Sequence, residues 1–162
     1  MSIISSHVDP TSFELRRILP ASRDRVFAAW IKKEQLEQWM CKDSPSHQAE
    51  YVELNVREGG RYVIEIKMPE GYLYRGSGIF QEVRAPEKLV FTWFWERVPA
   101  KENDPPLQQR ESLVTVQLFE RGSSTEIVLT HELLANETAR RDSVRGWEGC
   151  LAVLKTVLES QP

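Results

Sequence analysis

The sequence predicts an α+β fold: a curved antiparallel sheet of six to seven strands, two short helices after the first strand, and one long carboxy-terminal helix laid over the sheet. Three observations carry this. Between Asn136 and Ser160, the residues Val144, Trp147, Leu151, Leu154 and Leu158 recur at steps of three and four, which puts all five on one helical face. From Leu89 to Trp95, and again over 113–119 and 125–132, large apolar side chains alternate with their neighbours at the period of a strand. Turn signals at Glu58-Gly59-Gly60, Pro69-Glu70-Gly71 and Arg121-Gly122-Ser123 separate these runs closely enough for a meander.

The elements follow in order. Residues 1–11 read as a flexible leader, and 12–160 as a single domain. Ser12 to Leu19 mixes Phe13, Leu15 and Ile18 with Glu14, Arg16 and Arg17, a first strand exposed on one face, and Pro20 ends it. Ser22 is an N-cap for a helix carrying Val26, Phe27, Trp30 and Ile31, and a second short helix over Lys33 to Met40 groups Leu36, Trp39 and Met40. Lys42 to Gln48 is loop. Ala49 to Val56 and Arg61 to Met68 form a hairpin, the second strand placing Tyr62, Ile64 and Ile66 on one face. Tyr72 to Val83 carries Gly76 and Gly78 on one face, the mark of a bend or of close approach by another element. Ala85 to Lys88 turns the chain into Leu89–Trp95, whose bulkier set, Leu89, Phe91, Trp93 and Trp95, is assigned to the core side. Arg97 to Arg110, with three prolines, reads as a long loop fit to act as a flap. The last hairpin points Val114, Val116 and Leu118, then Ile127, Leu129 and His131, inward. Asn136 caps the closing helix, with Glu137 in its first turn.

Composition narrows the function classes. At 162 residues, folding buries roughly 68–70% of the unfolded surface, so a sizeable core needs no staples. Lys plus Arg number 21 against 24 for Asp plus Glu, a formal charge of −3 without the basic stripe of a nucleic-acid binder. No run reaches the apolar length of a membrane span, and the first residues lack the regions of a signal peptide, so no membrane insertion is expected and the cytoplasm is the default. Cys41 and Cys150, far apart in sequence, read as reduced, packing cysteines.

Chemical motifs are sparse. His7, His47 and His131 show no metal-ligand spacing, so neither a metal site nor a cofactor is called for. No Gly-x-Ser-x-Gly elbow occurs, and nothing after Gly59-Gly60 makes a phosphate loop. Glu65, Glu82 and Glu132 are scattered, and no catalytic constellation stands out. His131, at the end of an inward row, is open to two readings: a base or donor toward a ligand, or a hydrogen-bonded structural histidine, the simpler of the two. The aromatic residues are the richest signal. Trp39, Tyr62, Phe91, Trp93, Trp95 and Trp147 come from the helices and the inner sheet face. Such rings fill a solid core before they line a cavity, although each buried indole N–H needs a partner and argues the other way.

Particular blocks carry a family resemblance. Val26-Phe27-Ala28-Ala29-Trp30, Leu36, Gln38-Trp39 and Arg57-Glu58-Gly59-Gly60-Arg61-Tyr62 resemble the opening of a START-like (SRPBCC, helix-grip, Bet v 1-like) domain, nearest the bacterial relatives of the activator of the heat-shock-protein-ninety ATPase. Pro86-Glu87-Lys88-Leu89-Val90-Phe91-Thr92-Trp93, Leu113-Val114-Thr115-Val116, Leu129-Thr130-His131 and Gly146-Trp147 with Leu151 and Leu154 continue it. The likeness spans nearly the whole chain from about Phe13. Ile31-Lys32-Lys33 stands where the family often has Thr-Asp/Asn-Pro, Asn55 replaces a frequent Asp, and Met40-Cys41 replaces a frequent second aromatic and Gly.

The resemblance implies a helix-grip fold with a cavity between sheet and closing helix, used by relatives for lipids, polyketides or other apolar molecules. The expected function is therefore binding of a small hydrophobic or aromatic molecule, with Trp39, Tyr62, Ile64, Tyr74, Phe91, Trp93, Trp95, His131, Trp147, Leu151 and Leu154 as the ligand-binding set. One alternative is a cyclase-, dehydratase- or hydrolase-like enzyme in the same cavity, which needs His131 to converge with Tyr62 or Tyr74. Another is a protein-interaction module, chaperone-associated or stress-responsive, using Val90, Thr92 and Phe94 on the outer sheet face. That patch also serves as a possible homodimer surface. The co-chaperone activity named for the family belongs to a longer architecture with an added domain and is not carried over.

Overall fold

The computed structural model describes residues 9–42, 48–68, 71, 73–98, 107–108 and 110–160. Strand β1 (Phe13–Leu19) leads into helices α1 (Arg23–Ile31) and α2 (Lys33–Trp39). Strands β2 (Gln48–Leu54), β3 (Arg61–Lys67), β4 (Leu73–Arg84) and β5 (Lys88–Val98) follow. The two-residue β6 (Leu107–Gln108), then β7 (Ser112–Arg121), β8 (Ser124–Glu132) and helix α3 (Glu137–Ser160) complete the order. The sheet runs β1-β8-β7-β5-β4-β3-β2 with every pairing antiparallel, and β6 pairs with β5 off that path. This is the expected open antiparallel sheet with two short helices and a long closing helix. Strand β6 is the addition, inside the stretch read as a flap; residues 99–106 and 109 of that stretch lie outside the described residues. So do 1–8 of the leader with His7, 43–47 of the loop with His47, and Pro69, Glu70 and Tyr72 around the second turn.

Local chemistry explains the helices. The Ser22 hydroxyl accepts the Arg25 N–H at 3.3 Å and starts α1. Lys32, extended at φ −97° and ψ 128°, breaks the rod, and its N–H returns to the Ala28 carbonyl. The bend turns Val26, Phe27 and Trp30 of α1 and Leu36 and Trp39 of α2 into one buried bracket. The Trp39 indole N–H donates to the Ala29 carbonyl at 2.9 Å, tying the second helix to the first. Asn136 Oδ1 accepts the Ala139 N–H at 2.9 Å and caps α3, whose buried stripe is Trp147, Cys150, Leu151, Leu154 and Leu158. Val144 is only half-buried, and Cys150 joins the stripe in its place.

The inner sheet face follows the alternation. Val114, Val116 and Leu118 on β7, and Ile127, Leu129 and His131 on β8, are all buried. Along β5, Leu89 and Phe91 are buried while Trp93 and Trp95 on the same face are half-exposed. The outer-face patch does not form as expected, because Val90 and Thr92 are buried. Strand β5 is flanked on both edges, Val90 opposite Glu82 and Thr115, and the Thr92 hydroxyl folds back to accept the Ile79 N–H at 2.8 Å. The exposed apolar residues of the sheet, Ile18, Val52, Ile79 and Phe119, sit on four different strands.

Gly76 and Gly78 mark close approach. Gly76 pairs with Trp95 and Gly78 with Tyr62, and each aromatic ring lies over its partner glycine, where a side chain would otherwise stand. A bulge between Phe80 and Glu82 bends β4 just beyond.

Candidate functional site

A cavity of about 780 Å³ lies between the open end of the sheet and the first half of α3. The sheet contributes Ile66, Tyr74, Trp93, Trp95 and Ser112, the chain after α2 contributes Met40 and Cys41, and α3 contributes Ala139, Ser143, Gly146, Trp147 and Cys150. Arg110, Asn136, Thr138 and Asp142 also line it and are exposed, so the rim is polar and wet while the wall behind it is aromatic. Helical spacing explains the room. Ala139, Ser143, Gly146 and Cys150 follow steps of four, three and four, so one face of α3 offers small side chains alongside Trp147.

The structure brings Tyr74, Trp93, Trp95 and Trp147 together around this space. Ile66 lines it, and Ile64, two residues earlier on the same face, is buried beside Gly76 instead. Tyr62 and Phe91 face a second void of about 20 Å³ shared with Trp30, room for about one water. Trp39, Leu151 and Leu154 are core residues that touch neither space, because the bracket and the sheet close over them. The polar rim and the small-residue stripe are what a search for apolar residues overlooks.

Rings continue from the wall into the core. Trp147 lies 5.0 Å from Trp93 and stacks at 5.9 Å on Trp30, centroid to centroid, and Trp30 meets Trp39 edge-on at 4.6 Å. Trp93 meets Trp95 at 5.6 Å in a T-shaped pair.

His131 is placed behind this wall, fully buried, and both its ring nitrogens are engaged. The Trp147 indole can only donate, so its N–H at 3.1 Å makes His131 Nδ1 an acceptor. Nε2 therefore carries the proton and donates to Ser112 Oγ at 2.7 Å, and the Ser112 hydroxyl donates to the Trp93 carbonyl at 3.1 Å. The chain fixes one neutral tautomer and orients the Trp147 ring. Tyr62 is spent in the same way. Its hydroxyl donates to the Thr92 carbonyl at 2.5 Å, and burial holds the phenol protonated well above its usual range. The convergence of His131 with Tyr62 or Tyr74 that an enzyme reading needs does not occur, since of the three only Tyr74 reaches the cavity. Glu65 is paired with Arg75 at 3.0 Å and Glu82 with Lys88 at 3.4 Å, and no group of three His, Cys, Asp or Glu among the described residues is set to hold a metal ion.

A pH dependence follows. Burial lowers the His131 pKa from 6.5 to about 4, so the folded state holds it neutral. That contribution is complete above pH 6.5 and is lost as pH falls through about 4, a change of about 3 kcal/mol. Urea unfolding between pH 7 and pH 4 is expected to show this loss, and His131→Gln to flatten it. A wild-type curve already flat over that range would contradict a His131 held neutral in the folded state.

The sequence model of the Activator of Hsp90 ATPase homolog 1-like proteins matches residues 20–159, which takes in both short helices, the sheet from β2 onward and nearly all of α3. The chain belongs to this family. Solved structures share the fold of this Activator of Hsp90 ATPase homolog 1-like chain. A protein of Chromobacterium violaceum aligns with a TM-score of 0.78 at 20% identity, covering 93% of this chain and 99% of its own. The AHSA1 protein of Silicibacter pomeroyi gives 0.75 at 22% identity, with coverage of 93% and 99%. A protein of Arthrobacter aurescens gives 0.76 at 23% identity, with coverage of 94% and 88%. At these identities the likeness speaks for the fold alone. No curated protein matches the chain. Among the described residues no helix is long and apolar enough to cross a membrane.

Proposed function

We propose that this protein binds a small hydrophobic or aromatic molecule in the cavity under α3. The observation that carries the proposal is a space of about 780 Å³ walled by Trp93, Trp95, Trp147 and Tyr74, within the usual range for a small-molecule site of about 300–1,000 Å³. The reading is supported by the family, whose fold often serves hydrophobic ligands. The wall favours a flat or unsaturated body that can stack on indoles, and the exposed Arg110, Asn136 and Asp142 favour a ligand with one polar end left at the rim. Binding rather than turnover is the reading adopted, because His131 and Tyr62 already spend their hydrogen-bonding groups on the fold.

Gly146 gives the test. It lines the cavity, and a Cβ built on it meets nothing within 4 Å, so a larger side chain enters open space. Gly146→Leu is expected to fill part of the cavity and lower affinity for an anilinonaphthalene fluorophore at least tenfold. The fold is expected to hold, with helix stability raised by about 0.5–1 kcal/mol on replacing glycine. Fluorescence titration with an apolar competitor measures the first effect and thermal denaturation the second. Absence of displaceable binding in the wild type, or full binding in the folded variant, would sink the proposal.

A further inference from the structure

Cys41 and Cys150 are 109 positions apart in sequence but adjacent in space, and no disulfide joins them. The Cys41 backbone N–H points at the Cys150 sulfur at 3.3 Å. The Cys41 Cα, one bond from that nitrogen, therefore lies within about 4.8 Å of the sulfur. A cysteine sulfur sits about 2.8 Å from its own Cα and a disulfide bond adds about 2.05 Å, so a bonded sulfur lies no more than about 4.8 Å from its partner's Cα. The pair meets that limit, the reach that a bond between the two sulfurs requires.

Two further observations bear on reactivity. Cys41 holds a φ of 58°, a left-handed conformation uncommon for a residue with a side chain, in the turn just after α2. Both cysteines line the cavity, Cys41 half-buried and Cys150 buried, so a small solute that enters past the exposed rim reaches Cys41 first.

We propose that Cys41 and Cys150 are a redox pair, joined reversibly by exchange with a low-molecular-weight disulfide such as glutathione disulfide. The Cys41 thiolate attacks one sulfur of the small disulfide, forms a mixed disulfide and releases one thiol. The Cys150 thiolate then attacks the Cys41 sulfur, releases the second thiol and leaves the Cys41–Cys150 bond. Two protein thiols are oxidised, one small disulfide is reduced to two thiols, and the two protein protons end on those thiols. The bond clamps the end of α2 to the middle of α3 across the cavity wall. It closes a loop of about 110 residues, the range in which a crosslink restrains the unfolded chain most.

The proposal does not depend on a ligand, since the bond forms or fails whether or not the cavity is occupied. The test incubates the full chain with glutathione disulfide under native conditions, followed by non-reducing peptide mapping and a thermal melt. The expected product is monomeric, contains a Cys41–Cys150 peptide pair, has lost two hydrogens and melts several degrees higher. Dithiothreitol is expected to reverse the shift, and Cys41→Ser or Cys150→Ser to abolish it. Recovery of only glutathione adducts, intermolecular dimers or unmodified thiols would overturn the proposal, as would a crosslinked protein whose melting point does not rise.

Discussion

Trp147→Ala is expected to cost about 3–5 kcal/mol of stability, the loss for a large aromatic side chain removed from a packed site. The ring is buried although it borders the cavity, since it stacks on Trp30 at 5.9 Å and meets Trp93 at 5.0 Å. Its removal joins the core to the cavity and leaves His131 Nδ1 without its donor. Urea unfolding at neutral pH measures the total, and a loss well under 2 kcal/mol would mean that α3 only roofs open space. Trp147→Phe separates the two contributions. It keeps most of the apolar contact but removes the N–H, so a cost of about 1–3 kcal/mol is expected from the unsatisfied nitrogen. It also frees Nδ1 to take a proton, which raises the His131 pKa and makes the acid loss of stability smaller than in the wild type. A Phe variant with wild-type stability and pH dependence would show that the Trp147–His131 bond contributes nothing.

The elements were legible because each depends on a local period. The stripe of Trp147, Leu151, Leu154 and Leu158 and the alternation of Val114 to Leu118 both describe what one element presents to any partner. The depth of a residue along its own face was not legible in the same way. Ile64 and Ile66 share a face, as do Phe91 and Trp93, yet the first of each pair is core and the second lines the cavity. What separates them is where α3 and its small-residue face end over the sheet, a tertiary fact. His131 shows the same limit, since an inward row cannot say that an indole and a serine will hold both ring nitrogens. Val90 and Thr92 are buried on a face that alternation marks as outer, because alternation does not say how closely neighbouring strands cover that face. The small-residue stripe was open to view, and treating small residues as positive evidence of space would have located the cavity on α3.

Gly78 was the clearest sign that something had to come close, and it supports the other large effect. Gly78→Ala is expected to cost about 4 kcal/mol or more, above the usual range for overpacking. A Cβ there would fall 1.9 Å from the Thr92 carbonyl oxygen and 2.7 Å from the Tyr62 ring and hydroxyl. The first contact is with backbone of the adjacent central strand, which cannot withdraw without breaking the β4–β5 ladder. The second is with a phenol fixed at 2.5 Å to that same carbonyl, so moving the ring breaks a buried hydrogen bond. The cost therefore reaches Tyr62, Phe80 and Phe91, whose rings pack around one another at 5.5–5.9 Å. Gly146→Ala is the internal control: it adds the same methyl where nothing lies within 4 Å and is expected to stabilise α3 by about 0.5–1 kcal/mol. Parallel denaturation curves for the two variants measure the contrast. Equal effects at both positions would mean that Tyr62 does not lie over Gly78, and the packing assigned to the inner sheet face would then be wrong.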